Sequence, residues 1–235
     1  MASDPLSEGE VREVSSFDTK QRLLEAAIRV FSEKGFQASS MRTITREAGT
    51  SLSAANYHFG SKEELLRAAL AARVELLNAR RIELLDEAYR GQEGPVTVEA
   101  VLDGFIRPIF ERQADVRARG DVPPGLAIRL YLDPPDVVSR IWHDMFETTN
   151  QRFVQALGAA LPGSTEASAM EALRCVLGIV IYAVSEWNES IQERPADRMD
   201  ERARLERLVT FASAGVRALV SGMPSSPSSD EGVVS

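Results

Sequence analysis

The sequence predicts an all-α protein, and three observations predict it. Proline and glycine are sparse for a chain of 235 residues, at 11 and 15, which disfavours a many-turned all-β architecture. Apolar residues recur at helical spacing through most of the chain. Ser and Asp helix starts and Gly stops punctuate those stretches. The expected architecture is a small three-helix N-terminal unit followed by a larger helical C-terminal unit.

The opening "MASDPLSEGEVREVSSF" has neither a basic start nor an apolar centre, so it is read as a leader without fixed structure rather than a secretory or transit signal. Asp18, with Gln21 three residues on, marks a helix start; Leu24, Ala27, Ile28 and Phe31 follow at helical spacing and Gly35 stops the run. Ser40 caps a second helix over 41–48, which Gly49 ends. Ser51 caps a third over 52–58, and Ser61 with Glu64 forms a capping box for a long fourth. In that fourth helix Leu66, Leu70, Leu77, Leu84 and Ala88 keep one apolar stripe to about Tyr89. Two short helices joined by a Gly-containing turn and flanked by longer helices form a helix-turn-helix arrangement.

Beyond a break at 91–95, helical patterning is expected over 98–119, with Gly104 and Pro108 as irregularities. A short helix over 126–131 is expected between the Pro-rich loops "GDVPPG" and "LDPPD". Further helices are expected over 136–161, 165–190 and 196–220, before a low-complexity tail.

The net charge of −8 is unevenly spread. Residues 18–65 carry 7 Lys/Arg against 6 Asp/Glu, the remainder 20 against 29. A locally basic face on an acidic body is compatible with an anionic partner. The single cysteine, Cys175, excludes an intramolecular disulfide, and no Cys/His spacing suggests zinc or any other metal site. The longest uninterrupted apolar run, 175–184, is short of a bilayer span. A soluble, cytoplasmic protein without cofactor is expected.

"TSLSAANYHFGSKEELL" breaks the apolar pattern in an informative way. In a helix-turn-helix the second short helix enters the DNA major groove while residues around its ends meet phosphates. Asn56, Tyr57 and His58 supply donors at that end, and Lys62 adds a positive charge at the next helix start. A cation there opposes the helix macrodipole and wants a separate reason to be present. Phe59 is read as core, and His58 stays open between a DNA-proximal ring and a core one.

Residues 19–70 resemble the DNA-binding domain of the TetR family of bacterial transcriptional regulators, through "LLEAAIRVFSEKGF", "SMRTITREAGTS" and "NYHFGSKEELL". The resemblance implies a homodimer that binds a near-palindromic double-stranded DNA operator and a small lipophilic or amphipathic effector, most simply as a repressor. Between a leader over 1–17 and a tail over 222–235, both read from composition, it implies a DNA-binding domain over 18–65 with a linking helix over 62–89, and a ligand-binding and dimerisation domain over 66–221. It also implies DNA contacts from Arg42, Thr43, Tyr57, His58 and Lys62, with Leu52, Ser53, Ala54 and Asn56 on the recognition face. Leu52 and Ala54 are apolar where many members carry polar base readers, so bidentate readout falls to Arg42 and Asn56.

In the larger unit, Arg129, Trp142, His143, Phe146 and Tyr182 are the candidate pocket residues, a mostly apolar set with a few polar groups. Small residues Gly178, Ala183, Ala212, Ala214 and Gly215 in the last two helices suit a four-helix interface between copies. Two other classes remain open. A helical protein-interaction module would keep the fold without DNA binding. An enzyme would need a catalytic constellation, and only His58 and His143 are available, with no phosphate loop or nucleophile elbow.

Overall fold

In a computed structural model, residues 8–91, 94–119, 136–184 and 200–222 are described. Every regular element among them is an α-helix: α1 Glu8–Lys34, α2 Met41–Ala48, α3 Leu52–Phe59, α4 Lys62–Arg90, α5 Val98–Arg119, α6 Asp136–Ala160, α7 Glu166–Val184 and α8 Glu201–Gly222. The expected helix over 126–131 lies outside the described residues, as do 185–190, 196–199 and most of the tail.

The N-terminal expectation needs correction. α1 begins at Glu8, ten residues before Asp18, and Asp18 sits inside the helix, ion-paired with Arg22 at 3.2 Å. Between Glu8 and Asp18 there is no proline, and Glu and Arg are good helix formers, so nothing in the sequence obliges the helix to stop there.

The three serine caps form as the pattern indicates. Ser40, Ser51 and Ser61 take extended backbone and their hydroxyls accept from the amides of Thr43, Ala54 and Glu64 at 3.0–3.1 Å. Gly49 closes α2 in the left-handed region, at φ 62°, with the Thr50 amide reaching back to the Thr45 carbonyl. Gly60, at φ 70°, makes the one-residue reversal between α3 and Ser61 that a side chain would strain.

Two hydrophobic cores result. The smaller gathers Leu23, Ala27, Phe31, Ile44, Ala55, Phe59, Leu65, Leu66 and Leu70, and extends along α4 to Val74. It also takes Val138 and Ile141 from the start of α6, both at most 1% exposed. The larger gathers Leu85, Val101, Leu102, Phe105, Ile106, Phe153, Leu157, Leu173, Val176, Val180 and Val216. α4 and α6 therefore each begin in one core and end in the other. At the α4/α5 crossing the helices pass closely enough that a Cβ added at Gly104 would meet the Leu85 backbone nitrogen at 3.4 Å.

Polar ties fix these crossings. Arg67 meets Asp144 at 3.1 Å and Arg152 meets Asp86 at 2.8 Å, joining α4 to α6 at both ends. Arg217 pairs with Glu99 through both oxygens, at 2.6 and 2.8 Å, joining α8 to α5. Such exposed pairs add little stability individually, so the apolar crossings carry most of the energy.

Because Ile141 fills the smaller core from a distant helix, Ile141→Ala is expected to cost about 2–5 kcal/mol. The measurement is the urea unfolding midpoint at an unchanged m-value.

Candidate nucleic-acid interface and effector region

α2 and α3 present the expected DNA-facing side chains on one side of the smaller core. On α2, Ile44, Thr45 and Ala48 turn inward, leaving Arg42 exposed and Thr43 half-buried with its hydroxyl 2.9 Å from that of Ser40. Arg46, four residues after Arg42, extends the same exposed face. It is absent from the residues that the family resemblance points to, and its i+4 spacing from Arg42 is the signal for it.

On α3, only Ala55 and Phe59 are buried, so Phe59 is core. Leu52, Ser53 and Asn56 are exposed and Ala54 is half-buried. Tyr57 is 84% exposed, an unusual state for a large aromatic ring, and its hydroxyl is carried beyond the helix surface. His58 is half-buried, its ring edge-on to Tyr57 at 5.3 Å and 6.1 Å from Phe59, so it braces the exposed tyrosine against the core.

Lys62 has partners that the sequence did not reveal. Its Nζ donates to the carbonyls of Phe36 at 2.8 Å and Ser39 at 2.9 Å and lies 4.2 Å from the Phe36 ring centre. Desolvation lowers its pKa, against a smaller opposing effect of Glu63. This supplies the separate reason that the macrodipole demanded: the ammonium ties the connector after α1 to the start of α4. Of its three N–H groups, two are used in these bonds.

Of the five pocket candidates, the four among the described residues are not all brought together. Trp142 and Phe146 stack on each other at 5.2 Å along one face of α6. His143, one residue on and so about 100° around the helix, points to solvent and pairs with Glu147 at 2.7 Å. Tyr182 is 53% exposed on α7. Arg129 lies outside the described residues. Residue type alone groups side chains that helical geometry separates.

A different arginine occupies the interior. Arg81 is 2% exposed, its Nε donating to the Phe105 carbonyl at 3.0 Å and its guanidinium carbon 3.9 Å from the Phe105 ring centre. Pro108, inside α5, carries no amide for the Gly104 carbonyl one turn earlier, so the helix ladder is interrupted next to the carbonyl that Arg81 meets. Desolvation lowers the Arg81 pKa to about 9, leaving it cationic at neutral pH. The sequence signal was present: Arg81 interrupts the apolar stripe between Leu77 and Leu84. Among the described residues, no group of three or more His, Cys, Asp or Glu side chains is placed to hold a metal.

Two family models match this chain. Residues 23–69 match bacterial regulatory proteins of the tetR family, and residues 103–215 match the tetracyclin repressor-like C-terminal domain. The chain belongs to the TetR family. A nicotine-responsive transcriptional repressor from Paenarthrobacter nicotinovorans is 42% identical over 105 residues, 44% of this chain and 45% of its own length. A helix-turn-helix regulator from Rhizobium meliloti is 34% identical over 39% of this chain and 41% of its own length. The TetR-family chain thus spans less than half the length of these curated relatives.

Solved structures share the fold more widely. One from Pseudomonas aeruginosa PAO1, described as a transcriptional regulator, superposes with a TM-score of 0.58 at 17% identity, covering 86% of this chain and 93% of that one. The ketosteroid transcriptional regulator of Mycobacterium tuberculosis gives 0.51 at 22% identity, covering 83% and 93%.

Removing the Lys62 ammonium leaves two carbonyls without their charged donor. Lys62→Met is expected to lower stability by about 1–3 kcal/mol, read by chemical denaturation of the full chain.

Proposed function

We propose that this TetR-family chain is a ligand-responsive DNA-binding transcriptional regulator, acting as a repressor that a small lipophilic or amphipathic effector releases from a near-palindromic operator. It is a cytoplasmic regulator rather than an enzyme. The observation that carries this reading is the exposed tip of α3, where Tyr57 stands 84% exposed beside Asn56 on a helix held at its other face by Ala55 and Phe59. An exposed, rigidly mounted, donor-bearing helix end suits phosphates and base edges better than it suits a fold.

In this reading residues 18–65 form the DNA-binding unit, 62–89 the linking helix and 66–221 the effector and dimerisation unit. Arg42 and Asn56 read bases, Leu52, Ser53 and Ala54 line the groove, and Thr43, Tyr57 and His58 meet the backbone. Lys62 is assigned a shared role, two N–H groups on carbonyls and the third toward phosphate. The Paenarthrobacter relative is named for its response to nicotine. We infer control by a small molecule of some kind here, not that ligand.

Dimerisation is assigned to α7 and α8. By length and composition α7 is apolar enough to cross a membrane, although Glu171 and Arg174 interrupt its apolar run. Only 39% of its apolar window is buried within the chain. A second copy packed about a twofold axis covers the remainder without a bilayer. Ala212 is already buried in the chain's own core, whereas Gly178, Ala214 and Gly215 are exposed beside Tyr182 and Phe211, the latter 65% exposed.

Effector control follows from the shared helices. A ligand that prefers another position of α4 lowers DNA affinity only by its differential affinity for the two states.

Fluorescence anisotropy with DNA from upstream of the chain's own gene tests the regulator. Competitor-resistant binding is expected, with log affinity falling by about 0.9 per phosphate contact per unit log salt. Arg42→Ala should cost about 1–3 kcal/mol of binding and relax sequence preference. Weak binding indifferent to sequence would favour the interaction-module reading. For the interface, Phe211→Arg is expected to shift the protein from dimer to monomer in sedimentation equilibrium.

A further inference from the structure

The seam between α4 and α6 holds a buried cation that has no counter-anion among the described residues. Arg81 contacts the Phe105 carbonyl and the rings of Phe105 and Phe146, the latter 5.8 Å away, and among the described residues no carboxylate pairs with it. Desolvation is the sole cause of its lowered pKa, with no neighbouring charge acting against it. An apolar side chain in this place would serve stability better than a lone buried charge.

Two further polar atoms nearby are buried and unpartnered: Asn78 Oδ1, one turn earlier on α4, and Trp142 Nε1 on α6. Asn78 lies against α6, since its Nδ2 donates to the Met145 carbonyl at 3.0 Å, and Trp142 stacks on Phe146, which itself lies over Arg81. One region therefore gathers a guanidinium, an orphan neutral donor, an orphan acceptor and three aromatic rings. Polar atoms buried without partners in a native fold call for an explanation, and a bound polar group supplies one.

We propose that the effector is an organic monoanion, a carboxylate whose two oxygens take the terminal amines of Arg81 while its apolar body lies against Phe105, Phe146 and Trp142. The proposal rests on the effector-responsive reading above and adds to it the charge of the ligand. The guanidinium fork matches a carboxylate bidentately, and one negative charge neutralises the site where a phosphate dianion would leave an excess. Trp142 Nε1 and Asn78 Oδ1 then select for a polar substituent near the head group. Occupation acts directly on regulation, because Val138 and Ile141, just before Trp142 on α6, are seated in the smaller core.

The test uses the full chain and a panel of carboxylates, each paired with its primary amide: 3-phenylpropanoate, 4-phenylbutanoate, 1-naphthaleneacetate, octanoate and decanoate. Thermal shift screens the pairs and calorimetry measures affinities. At least one carboxylate is expected to bind about tenfold or more tightly than its amide. Arg81→Met should bring that ratio to about one while the melting temperature in the absence of ligand stays level or rises. Arg81→Lys, which keeps the charge without the fork, should retain part of the preference and serves if the methionine variant does not fold. A panel in which no acid exceeds its amide, or a preference that survives in Arg81→Met, overturns the proposal. Operator release separates this failure from that of the regulator. If amides but not acids release bound DNA, the charge assignment falls and the regulator stands. If no operator is bound specifically, the regulator reading falls, and the acid-to-amide ratio still decides whether Arg81 takes an anion.

Discussion

Everything in this molecule depends on α4 lying in two cores at once. Its first three turns, from Leu65 to Val74, complete the smaller core, and Leu84 and Leu85 enter the larger one. At 29 residues it is roughly 43 Å long. A continuous hydrogen-bonded rod of that length transmits displacement with little loss, since bending it would sacrifice backbone bonds. α6 runs beside it with the same double allegiance. The two units are thus joined by a pair of braced struts, and relative movement has to occur by sliding or tilting of both.

Beside the Arg67–Asp144 and Arg152–Asp86 ion pairs, a second set of ties along these struts shares one chemical character. Lys62, Asn78 and Arg81 each donate to backbone carbonyls of another segment, and Arg112 does the same to the Arg73 carbonyl at 2.9 Å. Carbonyl acceptors carry partial rather than full charge, so these contacts give position without the deep Coulombic well of a buried ion pair. Desolvation lowers the pKa of Lys62, Arg81 and Arg112 alike. Cations held in this way sit in shallow minima, which suits a seam that has to rearrange.

The local part of this architecture was legible in the sequence and the long-range part was not. Ser40, Ser51, Ser61 and Gly49 announce helix ends through bonds spanning three to five residues, so spacing alone reveals them. Phe59 was legible as core and Tyr57 as an outward-facing group because α3 has a single buried edge. Lys62 was recognised as anomalous, but its acceptors lie 23 and 26 residues away. The placement of Ile141 in the N-terminal core follows from a tertiary contact that no periodicity encodes. Trp142 and His143 share the residue types of a pocket but not a helical phase, and the interior role of Arg81 depends on phase, since it stands alone in an apolar stripe.

The seating of Val138 and Ile141 in the N-terminal core also limits how this protein can be taken apart. Helix-turn-helix heads are commonly imagined as interchangeable modules, to be cut at the start of the linking helix and grafted onto another sensor. Here such a graft would leave behind two aliphatic plugs that belong to the head and would open a hole where they had been. A working chimera would have to carry the first two turns of α6 with the head, so the natural unit of exchange in this lineage is discontinuous in sequence.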